Sequence, residues 1–230
     1  MTSFTRRTDA LVPTEICIES GKKRVFASAL AWPGWSRSAT SEAAAIEALI
    51  AYGTRYAQVL RRRRLGFAAP KTVRDLKVVE RLPGDATTDF GAPSVPARWD
   101  SDEIDGAELK RLLSILDACW GALDSALANA EGVQLRTGPR GGGRSAEKIA
   151  AHVADAEGAF LRRIGGKPPL SAGITEQHAT LVGALKRSVK EGVPDTGPRG
   201  GRMWTPRYFV RRTSWHVLDH TWEVEDRTGS

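Results

Sequence analysis

Apolar positions recur at strand period in the first third of the chain and at helix period in the second half. Glu15-Ile16-Cys17-Ile18-Glu19 alternates polar and apolar, Gly21-Lys22 supplies a turn, and Val25-Phe26-Ala27-Ser28-Ala29-Leu30-Ala31-Trp32 reads as a second strand, so a hairpin is expected. Pro33-Gly34 ends it and Thr40-Ser41-Glu42 offers a helix cap. From Ala43 to about Arg63, Ile46, Leu49, Ile50, Tyr56 and Leu60 then fall at near-helical spacing. Asp75-Leu76-Lys77-Val78-Val79-Glu80 reads as a strand returning to the sheet, which gives the order ββαβ.

Residues 83–105 break both periods. Gly84, Gly91, Pro93 and Pro96 interrupt a stretch with few apolar residues, the composition of a connector expected to make few contacts. The rest of the chain reads as helix, near 106–130, 145–165, 171–191 and 206–226, with loops rich in Gly and Pro between. The first of these helices carries Leu109, Leu112, Leu113, Leu116, Cys119 and Leu123 on one face built for burial. The expected fold class is α+β: a small ββαβ domain over 12–82, a linker over 83–105, and an all-α four-helix bundle over 106–230.

Composition narrows the class without naming a chemistry. No apolar run is long enough to cross a membrane, and no basic start with an apolar core follows Met1, so a cytoplasmic protein without membrane contact is expected. Cys17 and Cys119 lie far apart without redox or metal spacing and read as small core residues. The net charge of +7 admits anionic partners. The run Arg61-Arg62-Arg63-Arg64 could meet nucleic-acid phosphates, although such a run is also an ordinary solvated helix end.

Histidines carry the most specific signal. His216 and His220, four apart on a helix, put two imidazoles on one face within reach of one ion. Arg212, Asp219, Glu223 and Arg227 share that sector, so the face also reads as solvated surface. His152 has Ile149, Ala156, Ala159 and Phe160 as its helical neighbours, which turns it inward, where a histidine needs either an ion or a hydrogen-bond partner. His178 has no spaced partner and reads as surface or structural. Glu223 is the nearest carboxylate to the pair, with Asp219 beside it and Glu157 rotated away from His152. No residue is assigned as catalytic.

Two loops share six residues, Thr137-Gly138-Pro139-Arg140-Gly141-Gly142 and Thr196-Gly197-Pro198-Arg199-Gly200-Gly201, and each leads into a histidine helix. Backbone N–H groups at a helix start attract anions, so Arg140, Arg144, Arg199 and Arg202 are candidates to bracket a substrate carboxylate or phosphate. Plain solvated connectors are the alternative. If the second and fourth helices present their histidines at the same end of the bundle, both loops lie near that end, as a rim.

The order of one histidine helix (Ala151-His152-Val153-Ala154-Asp155-Ala156-Glu157), an intervening helix, and Trp215-His216-Val217-Leu218-Asp219-His220 resembles the DinB-like superfamily, which includes thiol-dependent maleylpyruvate isomerases. The resemblance covers Gly106 to the C-terminus. It implies His152, His216 and His220 as ligands of a divalent metal, zinc first and nickel, iron or manganese as alternatives. It also implies a small-molecule substrate and hydrolysis, or transfer or isomerisation with a low-molecular-weight thiol cofactor. Residues Glu15 to Leu82, through Val25 to Ser38 with Pro33-Gly34 and then Glu42 to Leu49, resemble a HicB-type antitoxin domain. That resemblance implies a rival reading: a non-catalytic interaction protein binding a toxin or RNA partner, with the bundle as a structural unit and a homodimer as one assembly.

Overall fold

The computed structural model describes residues 12–137, 143–169, 173–198 and 200–229. β1 (Thr14–Ser20), β2 (Val25–Ala29) and β3 (Ser36–Ala39) run as an antiparallel meander. α1 (Glu42–Ala51) and α2 (Gly53–Leu60) then lead to β4 (Leu76–Pro83), which lies parallel to β1, giving the order β3-β2-β1-β4. A short α3 (Ala86–Phe90) precedes four long helices: α4 (Gly106–Asn129), α5 (Ala146–Arg162), α6 (Ile174–Glu191) and α7 (Pro206–Thr228). The class is α+β, a small mixed sheet followed by helices.

The ββαβ expectation is corrected in two places. Ser36-Arg37-Ser38-Ala39 forms a third strand at the sheet edge; it is short and polar, so no alternation marks it in the sequence. The single helix expected from Ala43 to Arg63 is interrupted at Tyr52, where one helix ends and the next begins. Gly53 sits against Ala69 and Pro70, and the Tyr52 ring is held by Arg37 at 3.8 Å and by Trp222 at 4.9 Å. Tertiary contacts thus override a continuous helical pattern.

Alternation along β1 feeds two layers. Ile16 and Ile18, with Ala27 and Ala29 opposite them, join a core that runs through Trp35, Leu49 and Tyr56 into Leu112, Ile115, Phe209, Leu218 and Trp222 of the long helices. Each fully buried Leu or Ile there contributes about 1.5–3 kcal/mol. On the other face Cys17 and Leu30 pack with Ala97, and Phe26 meets Trp215 of α7 edge-on. Gly34, at φ +93°, lets α7 approach closely, since a Cβ there would lie 2.8 Å from Leu218.

The segment after β4 makes many more contacts than its composition suggests. Buried Glu19 of β1 accepts hydrogen bonds from the backbone N–H groups of Ser94 and Val95. Ser94 in turn accepts from Tyr208 Oη of α7 at 2.8 Å. Buried Asp100 pairs with Arg211 of α7 at 2.6 Å. The expectation of few contacts over 83–105 therefore does not hold. Composition reports missing periodicity, whereas polar side chains and backbone groups make these ties.

α4, α5 and α7 start at side-chain caps on Asp105, Ser145 and Thr205, with Pro206 opening α7. α7 is buried over most of its length. Among the described residues no helix is long and apolar enough to cross a membrane.

Candidate metal centre

α5 and α7 pack side by side and antiparallel. Near the start of α5, the Arg144 carbonyl accepts from Arg227 Nη2 of the α7 terminus at 2.8 Å. At the other end of α5, the Arg163 carbonyl accepts from the Trp204 N–H just before α7. This pairing brings His152, in the second turn of α5, level with His216 and His220 near the middle of α7. Ring centroids are 5.1 Å apart for His152 and His216, 4.9 Å for His152 and His220, and 4.7 Å for His216 and His220. One ring nitrogen from each lies within 4.8 Å of the others.

The three imidazoles differ in setting. His216 and His220 are 8% and 7% exposed, whereas His152, expected to turn inward, is exposed, so the cluster has a solvent side. Burial pushes the His216 pKa down to about 2, with His220, Arg212, His152 and Arg144 adding to the effect. His152 is lowered by burial too, and then by His220 and Arg144. Both rings are therefore neutral at physiological pH and keep a lone pair free for an ion. The Nδ1 of His216 is buried with no hydrogen-bond partner.

His220 is oriented from behind. Its Nδ1 lies 2.8 Å from Glu223 Oε2 one turn on, which leaves Nε2 as the ring nitrogen available to an ion. Glu223 also accepts from Arg227 Nη1 at 3.0 Å and has Arg144 Nη2 at 3.7 Å. The hydrogen bond to His220, backed by the two arginines, holds its carboxyl at about 2. With both oxygens occupied, Glu223 is an orienting group for His220 rather than a free base. Phe160 packs edge-on to His216 at 5.6 Å, and Arg212 lies over Phe160 and Trp215 with a buried, unpartnered Nη1. Neutral imidazoles, a buried unbonded ring nitrogen and a carboxylate behind one ligand form a donor set that fits a divalent ion of the zinc kind.

Arg144 and Arg202 are not brought together. Arg140 and Arg199 lie outside the described residues. Arg144 sits beside Glu223 at the α7 terminus, whereas the Arg202 carbonyl accepts from Arg163 Nη1 at the far end of α5. The two helices are antiparallel, so their starts, where Arg144 and Arg202 stand, lie at opposite ends, about 25 Å apart over the 17 residues of α5. Arg144 and Arg202 therefore do not share the expected rim. Of the described pair, only Arg144 is near the histidines.

A second polar cluster has almost no sequence signal. Glu157 is 0% exposed and lies between α4 and α6, where its oxygens take Trp120 Nε1 at 2.6 Å and His178 Nε2 at 3.2 Å. Its members are 37 and 21 residues apart, and only the inward phase of Glu157 and Trp120 on their helices hints at the contact.

Comparison with known proteins gave no match to any family model, curated protein or solved structure.

Proposed function

We propose that this chain is a metal-dependent enzyme of the DinB-like type. Its four long helices act as a four-helix bundle that holds one divalent ion, zinc first, on His152, His216 and His220. The single observation that carries the reading is the convergence of three ring nitrogens within 4.8 Å from two antiparallel helices. The packing of α4, α5, α6 and α7, each against the other three, supports the bundle assignment.

An ion held by three imidazoles would lower the pKa of a bound water to about 7 or bind a thiolate, the chemistry that hydrolysis or thiol-dependent transfer needs. The chain's own groups prepare the place. Glu223 fixes the tautomer of His220, burial keeps His216 neutral, and exposed His152 leaves an approach from solvent for a small molecule. Arg144 adds positive charge beside that approach and favours an anionic substrate or cofactor.

The test is the metal content of purified protein. Wild-type protein should carry about one divalent ion per chain and the His216→Ala/His220→Ala variant none, since a single remaining imidazole cannot hold the ion. Equal content in the two would refute the site.

A further inference from the structure

On the side of α5 away from the three histidines, a cleft of about 270 Å³ opens between α4, α5 and α6. Leu123, Leu127, Val153 and Ile174 supply an apolar wall, and Ile174 is left 46% exposed at its edge. For scale, a cavity of about 150 Å³ admits one benzene ring, so this cleft has room for a ring with a substituent.

Its polar equipment is sparse and directional. The His178 imidazole lines the cleft, stacked on Trp120 at 3.8 Å between ring centroids and 9° between planes. Nε2 of His178 faces buried Glu157 at 3.2 Å. A carboxylate can only accept, and Glu157 already takes the Trp120 N–H on its other oxygen, so the neutral imidazole of His178 carries its proton on Nε2. Nδ1 is then a lone-pair acceptor. Among the described residues it has no hydrogen-bond partner, nor is it among the buried unbonded atoms, so it is open to a ligand.

Charge sets the rest of the specificity. The ionisable groups lining the cleft are Asp124, Glu157 and His178, with no lysine or arginine among the described lining residues. A carboxylate or phosphate would meet only negative charge there. A cation would not find Glu157 available, because that carboxylate is fully buried with both oxygens taken.

We infer that this cleft is a second small-molecule site, separate from the histidine cluster. It takes a compact apolar molecule bearing one neutral hydroxyl, of the phenol class, which donates to Nδ1 of His178. The apolar body fills the space against Leu123, Leu127, Val153 and Ile174, and Glu157 holds the imidazole in the accepting tautomer. The assignment does not depend on the metal reading.

Calorimetric titration of the full chain with phenol, and with anisole as the same ring without a donor, tests it. Phenol should bind at least about fivefold more tightly than anisole, the worth of one net hydrogen bond. His178→Phe keeps the stacked ring but removes the acceptor, so it should bring phenol to the level of anisole. Ala154→Leu fills the cleft without touching the polar pair and should abolish binding of both, with metal content unchanged. No binding of phenol to wild-type protein, equal binding of phenol and anisole, or tighter binding of benzylamine than of phenol would each overturn the proposal. So would phenol binding unaffected by Ala154→Leu.

Discussion

Glu223 reaches four groups at once: His220, Arg227, Arg144 and, through His220, the histidine cluster. If its part is to orient His220, Glu223→Gln should keep the fold and lower metal affinity by about 10- to 100-fold, the usual effect of losing an outer-shell partner. Isothermal titration of metal into the stripped variant measures this, and affinity equal to wild type would remove Glu223 from the site. The metal-free protein carries a pH signature as well. Burial depresses the folded-state pKa of His216, so below about pH 6.5 the unfolded chain binds a proton that the folded chain refuses. Stability of the stripped protein should therefore fall as pH drops from 7 to 5, by up to about 2 kcal/mol from this residue. His216→Gln should flatten that fall, as read by urea unfolding at each pH. At this scale the sequence revealed much, because four-residue spacing on a helix dictates that His216 and His220 share a face. It did not reveal that the face is covered, since Arg212, Asp219 and Glu223 look the same in sequence whether solvated or paired inside. The second cluster was hidden for a different reason: Trp120, Glu157 and His178 come from three helices, and no local period links them.

Among the elements, α7 joins the sheet side of the molecule to the other helices. Its Arg211 meets Asp100 in a buried pair, and its Tyr208 and Arg207 hold the segment between β4 and α4. Removing one member of a buried pair leaves an uncompensated charge, so Asp100→Ala should cost about 3–5 kcal/mol in chemical denaturation. The Asp100→Ala/Arg211→Met double variant should recover most of that loss. Equal losses in both would mean that the pair itself contributes little. The long helices were legible because their apolar stripes extend over several turns and end at Gly- and Pro-rich loops. β3 was not, because four residues with two serines and an arginine carry no alternation. The antiparallel course of α5 and α7 also escaped the sequence. The repeated Gly-Pro-Arg-Gly-Gly loops suggested a shared end, but a repeat in sequence fixes local conformation and not which end of a neighbouring helix it meets.

For the whole molecule, the continuous core from Ile16 to Trp222 and the ties through residues 94–100 predict one cooperative thermal transition, with fluorescence and circular dichroism giving the same midpoint. Two separated transitions would show that the sheet part and the helical part fold independently. The same packing explains how the candidate centre is built: the sheet and its strap press α7 from one side while α5 closes on the other, so that His216 and His220 are buried and His152 caps them at the solvent side. The central claim is that these three imidazoles hold one ion and leave a position open. X-ray absorption at the zinc edge of the zinc-loaded full chain tests it most directly. Three imidazole nitrogens at about 2.0–2.1 Å and one light oxygen donor from outside the protein are expected, falling to two imidazoles in His152→Ala. A sulfur donor, or a shell with fewer than three imidazoles in the wild-type chain, would contradict it.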